Sequence, residues 1–231
     1  MGEVPGSFSV VTRKLFSDRN QRQESQELGS EGELSMRKLL EVLCLLVVTS
    51  VAARAQSITG TAHDLSGAGY GTTELCVFCH TPHDANTSVL AAPLWNHSLS
   101  SATYSTYTST TLDATTGQPG AISKLCLSCH DGSVAIDSYG GRTGTTNMTG
   151  PALVGTDLSN DHPVGFAYTA ALATLDGGLK DPTTPSTIAP AKVFGDQMEC
   201  ASCHDAHSNQ YGAFLRGSNT GSTLCKACHT K

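Results

Sequence analysis

The chain has 231 residues, a formal charge of −6, nine Cys, nine His and 23 Gly. Only 15% of residues are charged and 6% aromatic, and no basic block is present. That composition excludes a nucleic-acid binder, which needs a positive face to neutralise phosphates, and it excludes disorder driven by high charge.

Met36-Arg37-Lys38 opens a short basic segment, and an apolar run from Leu39 to Ala52 follows, broken by Glu41, Thr49 and Ser50. Ala53-Arg54-Ala55 then supplies a small-x-small cleavage pattern before Gln56. This is the arrangement of a secretory signal peptide over residues 36–55. The run is too short and too interrupted for a membrane span, which needs roughly 20 apolar residues. The polar stretch 1–35 precedes this start, so Met36 reads as the initiator. Cys44 lies inside the apolar run after Leu43, which is a poor setting for a lipid anchor, and it leaves with the signal. Residues 56–231 form the exported domain, with no retained membrane span.

All remaining cysteines fall in four Cys-x-x-Cys-His motifs. They are Cys76-Val-Phe-Cys79-His80, Cys126-Leu-Ser-Cys129-His130, Cys200-Ala-Ser-Cys203-His204 and Cys225-Lys-Ala-Cys228-His229. Each is the attachment signature of haem c. Two thiols on one helical turn add to the two porphyrin vinyl groups, and the next residue, His, lies under the ring facing iron. Disulfides are permitted in an exported protein but do not demand a His after every second Cys. Zinc sites pair Cys-x-x-Cys motifs without repeating Cys-His four times, and a thioredoxin-like pair occurs once, beside a βαβ pattern absent here. The reading is four covalently attached haem c groups. With so few aromatics, the porphyrins themselves provide the apolar surface the chain lacks. The expected fold is packed on haem and mostly irregular, with short α-helices at the motifs and little β structure.

Five histidines stand outside the motifs: His63, His83, His97, His162 and His207. Four irons need four distal ligands to be six-coordinate, so these suffice with one to spare. Met148 and Met198 are alternative ligands that would raise the potential relative to two His. His83 follows His80 by three residues and His207 follows His204 by three, a reach of about 10 Å when extended. Passing around a porphyrin edge in that span is hard, so these two are expected to serve neighbouring haems. His162 precedes Pro163, which biases it toward an extended backbone. His97 follows the apolar step Pro93-Leu94-Trp95, and His63 lies near the start of the exported domain. The Ser-, Thr- and Tyr-rich stretch 98–123 reads as an edge strand or equally as a solvated loop.

The strings Cys76-Val-Phe-Cys79-His80-Thr81-Pro82-His83, Pro93-Leu94-Trp95-Asn96-His97, Ser123 to Gly132 and Asp161-His162-Pro163-Val164-Gly165 resemble multihaem c-type cytochromes of the cytochrome c3-like superfamily. Motif count, size and export signal look most like the OmcE-type tetrahaem nanowire cytochromes of metal-reducing bacteria. The resemblance implies bis-histidine irons, with His80, His130, His204 and His229 proximal and the distal set drawn from the other five. It also implies self-association into an extracellular filament, with one distal His donated across subunits, a role suggested for His63. Function would be electron transfer from redox-partner cytochromes to external acceptors such as metal ions or minerals, with no catalytic residues. A monomeric periplasmic shuttle shares every motif, and a haem-containing reductase would need a five-coordinate iron.

Overall fold

Short apolar steps separated by Gly, Ser and Thr leave no periodicity to sustain long elements. In the computed structural model the described residues are Lys38 and 57–230, and the longest helix among them is α1, Ala121–His130. The chain divides into two units, Met1–Ala55 and Gln56–Lys231. The expected extension 1–35 and signal segment 36–55, Cys44 included, lie outside the described residues apart from Lys38.

The elements follow in the order β1 (Ser105–Thr106), α1, β2 (Asp157–Leu158), β3 (Phe166–Ala167), α2 (Ala170–Asp176), β4 (Gln197–Met198), α3 (Cys200–Cys203) and α4 (Cys225–Cys228). β1 pairs in parallel with β2, Ser105 opposite Asp157, and β3 pairs antiparallel with β4, Phe166 opposite Met198. The Ser/Thr/Tyr-rich stretch 98–123 therefore contributes one two-residue strand and the first turn of α1 and otherwise runs as loop, its hydroxyls hydrogen-bonding locally in place of a ladder.

The expectation of a helix at every motif holds for three of the four. The second, third and fourth motifs lie in α1, α3 and α4. The first is a turn with only one helical bond, from His80 N–H to the Cys76 carbonyl at 2.8 Å. The short elements have local reasons. The Thr169 hydroxyl caps α2 by accepting from Leu172 N–H, and Gly177 ends the helix in the left-handed conformation that costs glycine least.

Apart from buried Phe78, which packs edge-on against Tyr139, apolar packing among the described residues gathers in two small clusters. One gathers Phe166, Tyr168, Leu172, Ile188, Met198 and Leu224 around α2, α4 and the β3–β4 pair. The other is Tyr104, Leu127 and Leu158. Met198 is buried in the larger cluster. Between the clusters, α1 packs on α3 through polar contacts. Ser123, Ser128 and Ser202 are wholly buried, and their small side chains let the helices approach closely. The buried Glu199 carboxylate accepts from Ser123 N–H at 3.1 Å and from the Ser123 hydroxyl, which in turn accepts from Cys200 N–H at 3.0 Å. Glu199 also forms a reciprocal capping box with Ser202 at the start of α3. A side chain on Gly120 would run into the Glu199 carboxylate, so α1 must begin at a glycine.

A second buried carboxylate closes α1. Asp131 accepts from the hydroxyl of Ser100, from Tyr104 OH at 2.6 Å and from Ser133 N–H at 2.7 Å. Burial pushes its pKa up, but the hydroxyl and amide donors outweigh that and hold it below the ordinary value. Burial, with donation to Asp131, raises Tyr104 to about 12.

Glu199→Ala leaves buried Ser123 donors without an acceptor and is expected to destabilise the protein by about 2–3 kcal/mol, read from the denaturant midpoint. For Asp131, a depressed folded pKa gives stability that is complete above the unfolded value and lost as pH falls through the folded one. Asp131→Asn is therefore expected to lower stability at neutral pH and to flatten its decline below about pH 4, measured by unfolding across an acid series.

Candidate haem-binding centres

All eight motif cysteines are free thiols, available for covalent attachment. Burial raises Cys79 to about 11 and Cys129 to about 12. Cys126 and Cys200 are neighbours across the α1–α3 contact, where the thiol–thiol interaction with burial raises the first, and the same interaction with the Ser123 hydroxyl lowers the second to about 7. The second and third motifs are thus joined back to back, on the seam that Ser123 and Glu199 hold together.

Each proximal histidine is set by the backbone that returns past it. His80 Nδ1–H donates to the Pro93 carbonyl at 2.7 Å, His130 Nδ1–H to Ala152 at 2.8 Å, and His204 Nδ1–H to Ala213 at 2.8 Å. A histidine that donates from Nδ1 keeps the Nε2 lone pair for a metal, and the carbonyl fixes both tautomer and ring direction. His229 pairs by backbone with Leu179, and Lys180 N–H reaches the Cys228 carbonyl at 2.8 Å.

The first and third motifs are built as the same hairpin. In the first, Thr81 N–H donates to the Leu94 carbonyl at 3.0 Å and Asn96 N–H to the Cys79 carbonyl at 2.9 Å, around the His80–Trp95 bridge. In the third, Asp205 N–H donates to the Phe214 carbonyl at 2.7 Å and Arg216 N–H to the Cys203 carbonyl at 2.8 Å, around the His204–Leu215 bridge. The return passes through a left-handed residue in both, Leu94 (φ 55°) and Phe214 (φ 54°). For non-glycine residues this conformation persists only where flanking bonds impose it. The shared His-x-x-His step, His80 to His83 and His204 to His207, is the mark this equivalence leaves in the sequence; the two returns differ in length and share no residue type at the turn.

Three of the non-motif histidines face proximal ones. His207 lies opposite His80 with ring centroids 6.1 Å apart, His63 opposite His130 at 6.2 Å, and His162 opposite His229 at 6.3 Å. His207, three residues beyond His204, therefore meets the histidine of another motif. His63 does not extend out of the chain as suggested for it. Its Nδ1–H donates to the Ala206 carbonyl at 3.2 Å, and its ring stacks on Phe214 at 4.0 Å. The His162 Nδ1–H donates to the Pro163 carbonyl at 3.0 Å. Desolvation lowers the pKa of His63 and of His162, partly offset by these carbonyls, and so favours the neutral ring.

Haem c fits these pairs. An imidazole nitrogen sits about 2.0 Å from a bound metal, and adding the ring radius on both sides separates two axial imidazole centres by roughly 6 Å. Among the described residues no group of three or more His, Cys, Asp and Glu is gathered to hold a bare ion. Two facing imidazoles alone suit a metal whose other positions a macrocycle fills. Trp95 Nε1–H, buried beside His80, meets no acceptor among the described residues, and a porphyrin carboxylate is an acceptor of the right kind.

His97 is placed differently. It is 4% exposed, Nδ1 lies 2.7 Å from the Ser98 carbonyl, and Nε2 lies 3.1 Å from Ala135 O and 3.3 Å from Ile136 O. His83 is exposed, with hydrogen bonds recorded only from its backbone among the described residues.

Residues 192–231, which hold the third and fourth motifs, match the family described as the doubled CXXCH motif. That match marks a multihaem c-type cytochrome, binding haem c covalently through its Cys-x-x-Cys-His motifs and serving electron transfer. No curated protein matches the chain. Among the described residues no helix is long and apolar enough to cross a membrane.

Cys225→Ser with Cys228→Ser removes one attachment site. The expected result is a loss of about a quarter of the pyridine haemochrome absorbance per chain, with the other motifs still loaded.

Proposed function

We propose that the protein is an exported tetrahaem cytochrome that passes electrons along closely spaced bis-histidine haems and polymerises into an extracellular filament. The three histidine pairs at 6.1–6.3 Å carry the electron-transfer part of this reading. When bound, haem c supplies one-electron exchange between ferric and ferrous iron.

The chain's own residues do the rest. Cys76 and Cys79, Cys126 and Cys129, Cys200 and Cys203, and Cys225 and Cys228 would each anchor one group. His80, His130, His204 and His229 would ligate one side, and His207, His63 and His162 the other side of three centres. Two protein ligands at an iron leave no position for a substrate, so bond-making chemistry at those centres is blocked. The carbonyls of Pro93, Ala152, Ala213, Ala206 and Pro163 hold the rings in one orientation. A ligand set that does not rearrange between oxidation states keeps the reorganisation cost of electron exchange low.

The centres are tied to each other through the backbone. His207 belongs to the hairpin of the third motif and faces the first, while His63 faces the second and rests on Phe214 of the third. Every such tie keeps two centres within a few residues' reach, which suits transfer between them. The negative net charge favours basic redox partners and metal cations or mineral surfaces as terminal acceptors.

The filament part is supported by the resemblance to OmcE-type cytochromes and by apolar side chains left at the surface. Leu90 is 95% exposed, and Leu94, Leu153 and Val154, which adjoin the backbone returning past His80 and His130, are also exposed. Surface of that kind is suited to burial between copies. The expected outcome by electron microscopy of the haem-loaded exported protein is filaments with a regular repeat. Discrete small particles at native concentration would establish a periplasmic shuttle instead.

A further inference from the structure

Three proximal histidines have a facing partner, and the fourth, His204, has none among the described residues. Two histidines remain to supply it, His83 and His97. Their surroundings separate them. Both nitrogens of His97 already lie against carbonyl oxygens, Ser98 on one side and Ala135 and Ile136 on the other, and its Nε2 is 3.5 Å from the Cys129 sulfur. With Nδ1 turned onto one carbonyl and Nε2 enclosed by two more and the Cys129 sulfur, neither nitrogen of His97 has an open side at which a metal could be bound. His97 is buried in that position, and turning it outward would strand the carbonyls of Ala135 and Ile136.

His83 has neither restraint, and the hairpin of the first motif presents it as the third presents His207. After His80 the chain is turned by Thr81, whose Oγ1 accepts from His83 N–H at 3.4 Å. After His204 it is turned by Asp205, whose Oδ1 accepts from His207 N–H at 3.1 Å. The proximal ring, the turn-forming oxygen and the second histidine occur in the same order on the same kind of hairpin. In the third hairpin that construction delivers His207 to the proximal histidine of the first.

We infer that His83 is the fourth distal ligand, paired with His204, and that His97 is a positioning residue holding the 135–136 backbone against the second attachment site. The inference rests on the bis-histidine reading proposed above. The His83 that pairs with His204 belongs either to the same chain or to a second copy, and the chemistry at the metal is identical.

The test counts low-spin and high-spin ferric haems by EPR and near-infrared magnetic circular dichroism in haem-loaded protein whose four haems are confirmed by pyridine haemochrome. The unaltered protein at high concentration is expected to be wholly low-spin. A high-spin haem there would defeat the bis-histidine reading itself, and with it this assignment. Given a low-spin parent, His83→Ala is expected to convert one haem in four to high-spin, with free imidazole restoring it. His97→Gln, which keeps a donor toward the carbonyls, is expected to stay wholly low-spin while shifting one haem's potential. Four low-spin haems in His83→Ala, or a high-spin haem in His97→Gln, would overturn the assignment. Dilution of the parent then identifies the source: one high-spin haem appearing on dissociation means His83 comes from a second copy, and no change means it comes from the same chain.

Discussion

Among the described residues, the hydrogen bond from a histidine Nδ1–H to a backbone carbonyl recurs throughout the domain. It sets His80 against Pro93, His130 against Ala152, His204 against Ala213, His63 against Ala206 and His162 against Pro163. One bond does three things at once: it fixes the tautomer, aims Nε2 outward and ties a passing loop to the histidine. In a chain with two small apolar clusters, these ties and the two buried carboxylates are much of what gives the loops a defined course. A loop held only by its own turns would leave the ring free to rotate.

The same economy explains the α1–α3 seam. The two helices that carry Cys126 and Cys200 pack directly on each other, and large side chains at the contact would keep them apart. Serines at the contact solve the spacing but bring hydroxyls and amides into a dry place, and Glu199 satisfies them from the other helix. At the other end of α1, Asp131 does the same for Ser100, Tyr104 and Ser133. The polar interior is therefore paired, which is the condition under which burying it is tolerated. The repetition of one hairpin at the first and third motifs adds a further regularity, since it presents His83 and His207 in corresponding places.

How much could be read in advance differs by feature. The multihaem c-type character was legible because covalent haem attachment demands a fixed local spacing, Cys-x-x-Cys-His, that no folding is needed to recognise. The irregular character was legible from the scarcity of aromatics and the abundance of Gly, Ser and Thr. The first motif was less so: it forms a turn where a helix was expected, because the chain after His80 returns at once to pair with Trp95 and no helix continues around it. Glu199 and Asp131 gave no signal at all, since a lone carboxylate in a polar stretch looks the same exposed or buried.

By itself the sequence determined the four Cys-x-x-Cys-His motifs that mark covalent haem attachment and the five further histidines that are candidate ligands, all matters of composition and short-range spacing. Only the tertiary structure decided which histidines face one another. His207 meets His80 and His63 meets His130 across separations of more than sixty residues in the chain, and His97 turns inward onto carbonyls that lie far from it in the sequence. The physical reason is that a distal position is filled by whichever ring the backbone delivers through space, and that delivery depends on loop closures, buried hydrogen bonds and left-handed turns that leave no mark in residue spacing.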